Sequence, residues 1–387
     1  MDKKTLTAVM RDPVSRREFL SAAGMTTALL LAGQVAAQAQ ANNSAKLPSD
    51  PFTLGVASGD PLPGGVVLWT RLAPNPLNGG WDSTRSRSVR YQVALDPNFR
   101  RIVQQGAALA LPQENHSVHV ELRGLQPASV YFYRFIVDNY TSRVGRTKTA
   151  PATGAPTDTV KFAFCSCSDY QNGFFGAYRA MANEDLDFWI HLGDYIYEYD
   201  AKNSRAGYNP ATDALNTRQH SKTDAQATPT STGLDQLTTL TDYRNRHAQY
   251  KLDPDLQLLH ASSAMICVWD DHEVENNYAT DIDDAETPFT PADQFLLQRA
   301  AAYQAYYENM PMRRGYVITE SNGTPRWRDA QLYRNLQFGN LLSLNMLDTR
   351  QYRTDQVVPA PIPNIGDFSA ALPAGGNPTG TLLGQTQ

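Results

Sequence analysis

Four short apolar runs in the second half of the chain each break off into a cluster of polar, metal-ligand-type side chains. The runs occupy residues 161–164, 188–192, 264–269 and 341–347. Each has strand length, and stretches with helical character at 174–181, 239–250 and 291–308 separate them. Strands alternating with helices specify an α/β layered fold. Open α/β sheets gather their chemistry outside the carboxyl ends of the strands. The clusters that follow the first three runs are Cys165-Ser166-Cys167-Ser168-Asp169-Tyr170, Gly193-Asp194-Tyr195-Ile196-Tyr197-Glu198 and Asp270-Asp271-His272-Glu273-Val274-Glu275-Asn276-Asn277. The fourth run leads into Asp348-Thr349-Arg350-Gln351-Tyr352-Arg353. Taken singly, each has a bland explanation. Cys-x-Cys is too close to bridge comfortably and reads as two thiols. Gly-Asp can be a turn, and the acidic run can be a solvated helix start. Together they crowd acidic groups at adjoining strand ends, where they repel one another unless a cation sits among them. A divalent or trivalent metal cluster is the physical inference.

Ahead of this region, residues 52–144 carry short β-rich runs at 66–72, 88–95, 117–122 and 130–137, punctuated by Gly and Pro. That spacing specifies a β-sandwich. Leu125-Gln126-Pro127-Ala128-Ser129-Val130-Tyr131-Phe132-Tyr133-Arg134 resembles the tyrosine corner of fibronectin type III domains, with Trp69 as the expected core aromatic. The expected organisation is a sandwich at 50–148, a linker at 149–158 and an α/β region at 159–387. Apolar residues make up 41% of the 387, a globular value that supports both parts. The net charge of −5, without a basic run, argues against nucleic acid as a partner. Three cysteines cannot build a disulfide framework. The sequence shows no apolar stretch of the ~18–20 residues that a transmembrane segment needs.

Residues 1–41 read as an address. Ser15-Arg16-Arg17-Glu18-Phe19-Leu20, an apolar patch from Thr27 to Ala32, and small-residue cleavage sites at Ala37-Gln38-Ala39 or Ala39-Gln40-Ala41 occur in order. This pattern specifies a twin-arginine signal peptide, recognition by the Tat export machinery and a periplasmic or secreted destination.

The ordered motifs resemble the calcineurin-like metallophosphoesterases, whose Gly-Asn-His-Glu unit stands here as Asp270-Asp271-His272-Glu273. More narrowly, Ser166 to Tyr170, His191 to Glu198, Trp269 to Asn277 and Leu347 to Arg353 resemble the alkaline phosphatase D family. Residues 52–61 and 66–72 resemble that family's N-terminal β domain. The resemblance implies hydrolysis of phosphate esters with Fe³⁺ and Ca²⁺. It assigns Cys167, Asp194 and Tyr197 to iron, a thiolate and phenolate set suited to that ion. It has Asp194 bridge to calcium, with Asp271 and Asn276 or Asn277 as oxygen ligands. His272 becomes the proton donor to the leaving alkoxide or a transition-state hydrogen bond. Arg350 meets a phosphate or bonds a strand end. The family also takes ligand histidines from later strands, and residues 273–387 contain none. Residues 376–387 resemble a family segment that leads into a helix. The phosphoesterase region is therefore expected to be incomplete at its C-terminus. The alternative expectation is an inactive or truncated envelope protein whose β domain binds a polymer. The polar stretch 200–233 reads as a loop insertion or lid, with monoester and diester substrates both open. Cys165, Cys267, His191, Tyr303, Tyr306 and Tyr307 are expected in the core.

Overall fold

The computed structural model describes residues 47–81, 84–199, 237–283, 292–321 and 323–354. The expected signal peptide, the polar stretch 200–233 and the segment 376–387 lie outside the described residues.

The N-terminal half is built from β1 (Val56–Leu62), β2 (Gly65–Arg71), β3 (Arg87–Ala94), β4 (Ile102–Ala110), β5 (Ser117–Glu121), β6 (Val130–Val137), β7 (Tyr140–Thr141) and β8 (Gly145–Lys148). One sheet runs β4-β3-β6-β7, with β8 also paired to β6. The other side is β5-β2-β1. Period-two alternation decides which face turns inward. Along β6, Tyr131, Tyr133, Phe135 and Val137 are buried and their neighbours are half-exposed. They share one core with Val66 and Leu68 of β2, Val89 and Val93 of β3, and Val118 of β5. The tyrosine corner forms at Tyr131, whose hydroxyl accepts the main-chain N–H of Gln126 at 2.9 Å. Trp69 is 1% exposed and donates its indole N–H to the carbonyl of Glu308 at 3.0 Å.

The second half contributes β9 (Phe162–Cys165), α1 (Gly176–Ala182), β10 (Phe188–His191), α2 (Leu240–Lys251), α3 (Pro254–Ser262), β11 (Ala264–Cys267), α4 (Ala292–Asn309), β12 (Val317–Thr319), β13 (Pro325–Ala330), β14 (Arg334–Phe338) and β15 (Leu342–Met346). Strands β9, β10 and β11 are parallel and in register, with His191 opposite Cys165 on one side and Cys267 on the other. All residues of β10 and β11 are buried, as expected of parallel strands covered on both faces. Among the described residues no helix is long and apolar enough to cross a membrane.

Pairing does not stop at the boundary between the halves. Strand β1 pairs in parallel with β11 through Gly59 and Met265, so one six-stranded sheet runs β5-β2-β1-β11-β10-β9. Gly59 makes this approach possible, because a Cβ there would overlap the carbonyl oxygens of Pro311 and Met265.

The fourth apolar run departs from expectation. It does not enter the six-stranded sheet but pairs antiparallel with β14 as a separate two-stranded ribbon. Its own pattern explains this. Leu342, Leu344 and Met346 turn inward while Ser343 and Asn345 are exposed, a one-sided strand instead of a doubly buried one. Helix α3 was not anticipated, although its start is locally encoded. Pro254 occupies the first turn, and the Asp253 side chain accepts the N–H groups of Asp255 and Leu256.

Candidate metal centre

The three parallel strands deliver their polar loops to one place. Cys167 follows β9 and Asp194 follows β10, and both hold left-handed backbone at φ +57° and +54°. Such conformations in non-glycine residues cost energy and collect at functional sites. The two loops are laced together: Cys167 N–H donates to Gly193 O at 3.2 Å and Ser168 N–H to Asp194 O at 2.8 Å. Gly193 is required between them. At φ +109°, a Cβ there would overlap the main chain of Asp270.

Glu273 ties the second loop to the third. Its fully buried carboxylate accepts the N–H groups of Asp194 at 3.0 Å, Asp270 at 2.7 Å and Tyr195. This fixes the main chain on which Asp194 and Asp271 stand. Carboxylate oxygens of Asp194 and Asp271 and a ring nitrogen of His272 lie within 4.8 Å of one another. Oδ2 of Asp194 accepts the Tyr197 hydroxyl at 3.2 Å. Its Oδ1 is buried without a hydrogen-bond partner. Asp271 accepts the N–H of Asn277 at 2.7 Å. The Asn276 N–H goes to Glu198 at 2.8 Å.

His272 is fixed from two sides. Its Nδ1–H donates to Glu198 at 2.7 Å, and the Tyr197 ring stacks on it with centroids 4.3 Å apart. Burial alone would discharge the imidazole, but Glu198, Asp271 and Asp194 outweigh it and raise its pKa to about 10. Burial, reinforced by Asp271 and Asp270 against the pull of His272, raises Asp194 to about 6. Burial and then Asp194 push the Tyr197 phenol well up, and burial first of all raises the Cys167 thiol. Arg350 meets the third loop, with Nε on Asp270 at 2.5 Å and Nη2 on Asp271 at 3.1 Å. Beside Cys167 and Tyr197 opens a cavity of about 460 Å³, also lined by Ser166, Ser168, Phe174 and Tyr199.

The donor set fits cations. An orphaned buried carboxylate oxygen on Asp194 needs a positive partner. The thiol, phenol and carboxylates around it supply both soft and hard donors. Of the residues expected to act, Cys167, Asp194, Tyr197, Asp271 and His272 converge. For Asn276 and Asn277 the structure gives main-chain bonds to Glu198 and Asp271. His191 is a core residue, with Nε2 3.0 Å from Ser168 Oγ, and Cys267 is buried. Glu198 and Glu273 are not among the site residues expected from the sequence. Both sit inside the quoted motifs, and their signal was an acidic residue four and two positions beyond a candidate ligand aspartate.

A family model described as PhoD-like phosphatase matches residues 162–387, and a second, PhoD-like phosphatase, N-terminal domain, matches residues 36–151. The chain belongs to the PhoD-like phosphatase family. This PhoD-like chain is 45% identical over 377 residues to alkaline phosphatase D of Bacillus subtilis (strain 168), an alignment spanning 96% of this chain and 58% of that protein. The solved structure of PhoD superposes with a TM-score of 0.72 at 48% identity, over 81% of this chain and 55% of that one. The PhoD-like chain thus spans little more than half the length of these relatives.

Proposed function

We propose that this site hydrolyses phosphate esters by attack of a metal-activated water on phosphorus. The observation that carries the reading is the orphaned Oδ1 of Asp194, set beside Asp271 and His272 and next to the Cys167 thiol and Tyr197 phenol. The relative's name, alkaline phosphatase D, supports the reaction class. Cys167, Asp194 and Tyr197 would hold Fe³⁺, for which thiolate and phenolate are suited donors. Asp271 and the Asn276 or Asn277 side chain would hold Ca²⁺ through oxygen. Bound cations would supply an ionised water and charge to offset the phosphoryl oxygens.

The chain's own residues do the rest. Glu198 keeps His272 protonated and fixes its ring, which leaves Nε2 for the departing oxygen. As the ester P–O bond breaks, His272 would pass its proton to the departing alkoxide oxygen and regain one from solvent. Arg350, held by Asp270 and Asp271, would offer its guanidinium to a phosphoryl oxygen. The cavity at Phe174 and Tyr199 receives the organic part of the ester. The arginine pair Arg16-Arg17 and its flanking residues support a working place outside the cytoplasm, reached through the Tat export machinery.

The test is release of p-nitrophenol from p-nitrophenyl phosphate and from its bis-ester after Fe³⁺ and Ca²⁺ are supplied to the metal-free chain. Cys167→Ala and Asp194→Asn should abolish turnover, and Tyr197→Phe should remove a visible phenolate-to-iron absorption. Turnover indifferent to all three substitutions would sink the reading.

A further inference from the structure

Helix α2 is polar along most of its length, yet nine of its twelve residues are buried. Polar side chains are kept from water in such density only where they have partners. Their partners here include all three loops that bear the candidate ligands. The Tyr243 hydroxyl donates to the carbonyl of Val274 at 2.6 Å, in the loop after β11. Arg246 donates from Nη1 to the carbonyls of Tyr197 and Tyr199, the latter at 2.7 Å, in the loop after β10. The Tyr250 hydroxyl accepts the N–H of Tyr170 at 3.0 Å, in the loop after β9. Separations of three and four residues put Tyr243, Arg246 and Tyr250 on one face of the helix. Arg246 is 1% exposed.

We propose that α2 is the positioning element of the metal centre and that Arg246 is its principal positioning residue. By gripping the main chain on either side of Glu198, Arg246 aims the Tyr197 phenol at Asp194 and the Glu198 carboxylate at His272. It acts through these residues and not on substrate. The identity of the ligands rests on the reading given under Proposed function, whereas the grip on the loops is independent of it. The guanidinium suits the task because it is planar, always charged and weakly hydrated, so it tolerates burial between carbonyls better than an ammonium does. A helix that contacts all three loops makes their relative placement a property of one rigid body.

Hydrogen-exchange mass spectrometry of the metal-free chain tests the grip, and Fe³⁺ titration tests its consequence. Arg246→Met should speed exchange at residues 195–199 selectively, Tyr250→Phe at 168–172 and Tyr243→Phe at 272–276. Fe³⁺ binding should weaken by roughly 10–100-fold in Arg246→Met, the usual cost of losing an outer partner of a metal ligand. Arg246→Lys should recover part of the loss. A uniform rise in exchange over the whole fold, or none at 195–199, would overturn the proposal. Should Arg246→Met fail to fold, the two Tyr→Phe variants decide by the same loop-by-loop pattern. A wild-type chain that binds no Fe³⁺ would overturn the metal assignment, and the exchange pattern would still decide the grip.

Discussion

Glu198 and His272 form a buried ion pair 2.7 Å long between the loops that follow β10 and β11. The Glu198 side chain is fully buried, so its charge is little screened and acts chiefly on the imidazole beside it. Glu198→Gln keeps the shape and removes the charge. Fe³⁺ binding should persist, since Glu198 is not a candidate ligand, while turnover of p-nitrophenyl phosphate falls by about 10²–10⁴-fold, the range for a general acid. Parallel metal titration and steady-state kinetics check this. Metal binding lost together with turnover would contradict the division of labour.

Asp60 and Arg334 should show strong energetic coupling. Their ion pair is 2.8 Å long and almost fully buried, and Arg334 also donates to the carbonyl of Cys267 at 2.8 Å. Removing one partner strands the other in low dielectric. Asp60→Ala should therefore cost about 3–5 kcal/mol. The double variant Asp60→Ala/Arg334→Ala should cost less than the sum of the singles. Urea denaturation of the four proteins gives the cycle, and simple additivity would refute the coupling.

Tyr131→Phe should destabilise the fold by about 0.5–1.5 kcal/mol, because the N–H of Gln126 loses its acceptor at a half-buried corner. The change in urea midpoint at constant slope reports it. Tyr133 is an internal comparison. Its hydroxyl makes no well-formed hydrogen bond and has only Ser58 nearby, so Tyr133→Phe should cost less.

Acid should weaken the protein before it protonates most carboxylates. His119 is half-buried, and desolvation lowers its pKa to about 4 despite bonds to the carbonyls of Met310 and Tyr307. Burial and then Lys251 lower His191 to about 3. Unfolding releases both imidazoles to take protons near pH 6.5. At these two positions the unfolded state binds more protons in this window, so their contribution to stability rises with pH, while Asp194, raised to about 6, acts in the opposite sense. The stabilisation is complete above about pH 6.5 and drains away as pH falls toward 4 and then 3, by at most about 1.4 kcal/mol per pH unit for each histidine. Urea midpoints of the wild type and His119→Gln at about pH 7.5 and pH 5 test it, and an equal pH dependence in both would refute it.

The sequence exposed the chemistry better than the architecture. Asp194, Asp271 and His272 were legible as a cation-binding group because each closely follows an apolar strand, whereas Cys167 and Tyr197 joined them only through the family resemblance. The β15 run misled because periodicity over so few residues separates a doubly buried strand from a one-sided one only weakly. Arg246 was invisible for another reason. Its partners are carbonyl oxygens 47 and 49 residues away in sequence, and main-chain atoms leave no mark in side-chain pattern. Glu273 was hidden likewise, since it works on N–H groups. Sequence motifs display the groups that meet a ligand and conceal those that hold the backbone still.

The parallel pairing of β1 with β11 bears on how the molecule can be cut. A protease nick in the connecting segment 149–158 would sever the chain without parting the pieces, since backbone bonds stitch them elsewhere. The two fragments should travel together through gel filtration. Expressed alone, residues 159–387 would present β11 as a raw edge, a template for aggregation. The β-rich half is a wall of the same building, not an annex.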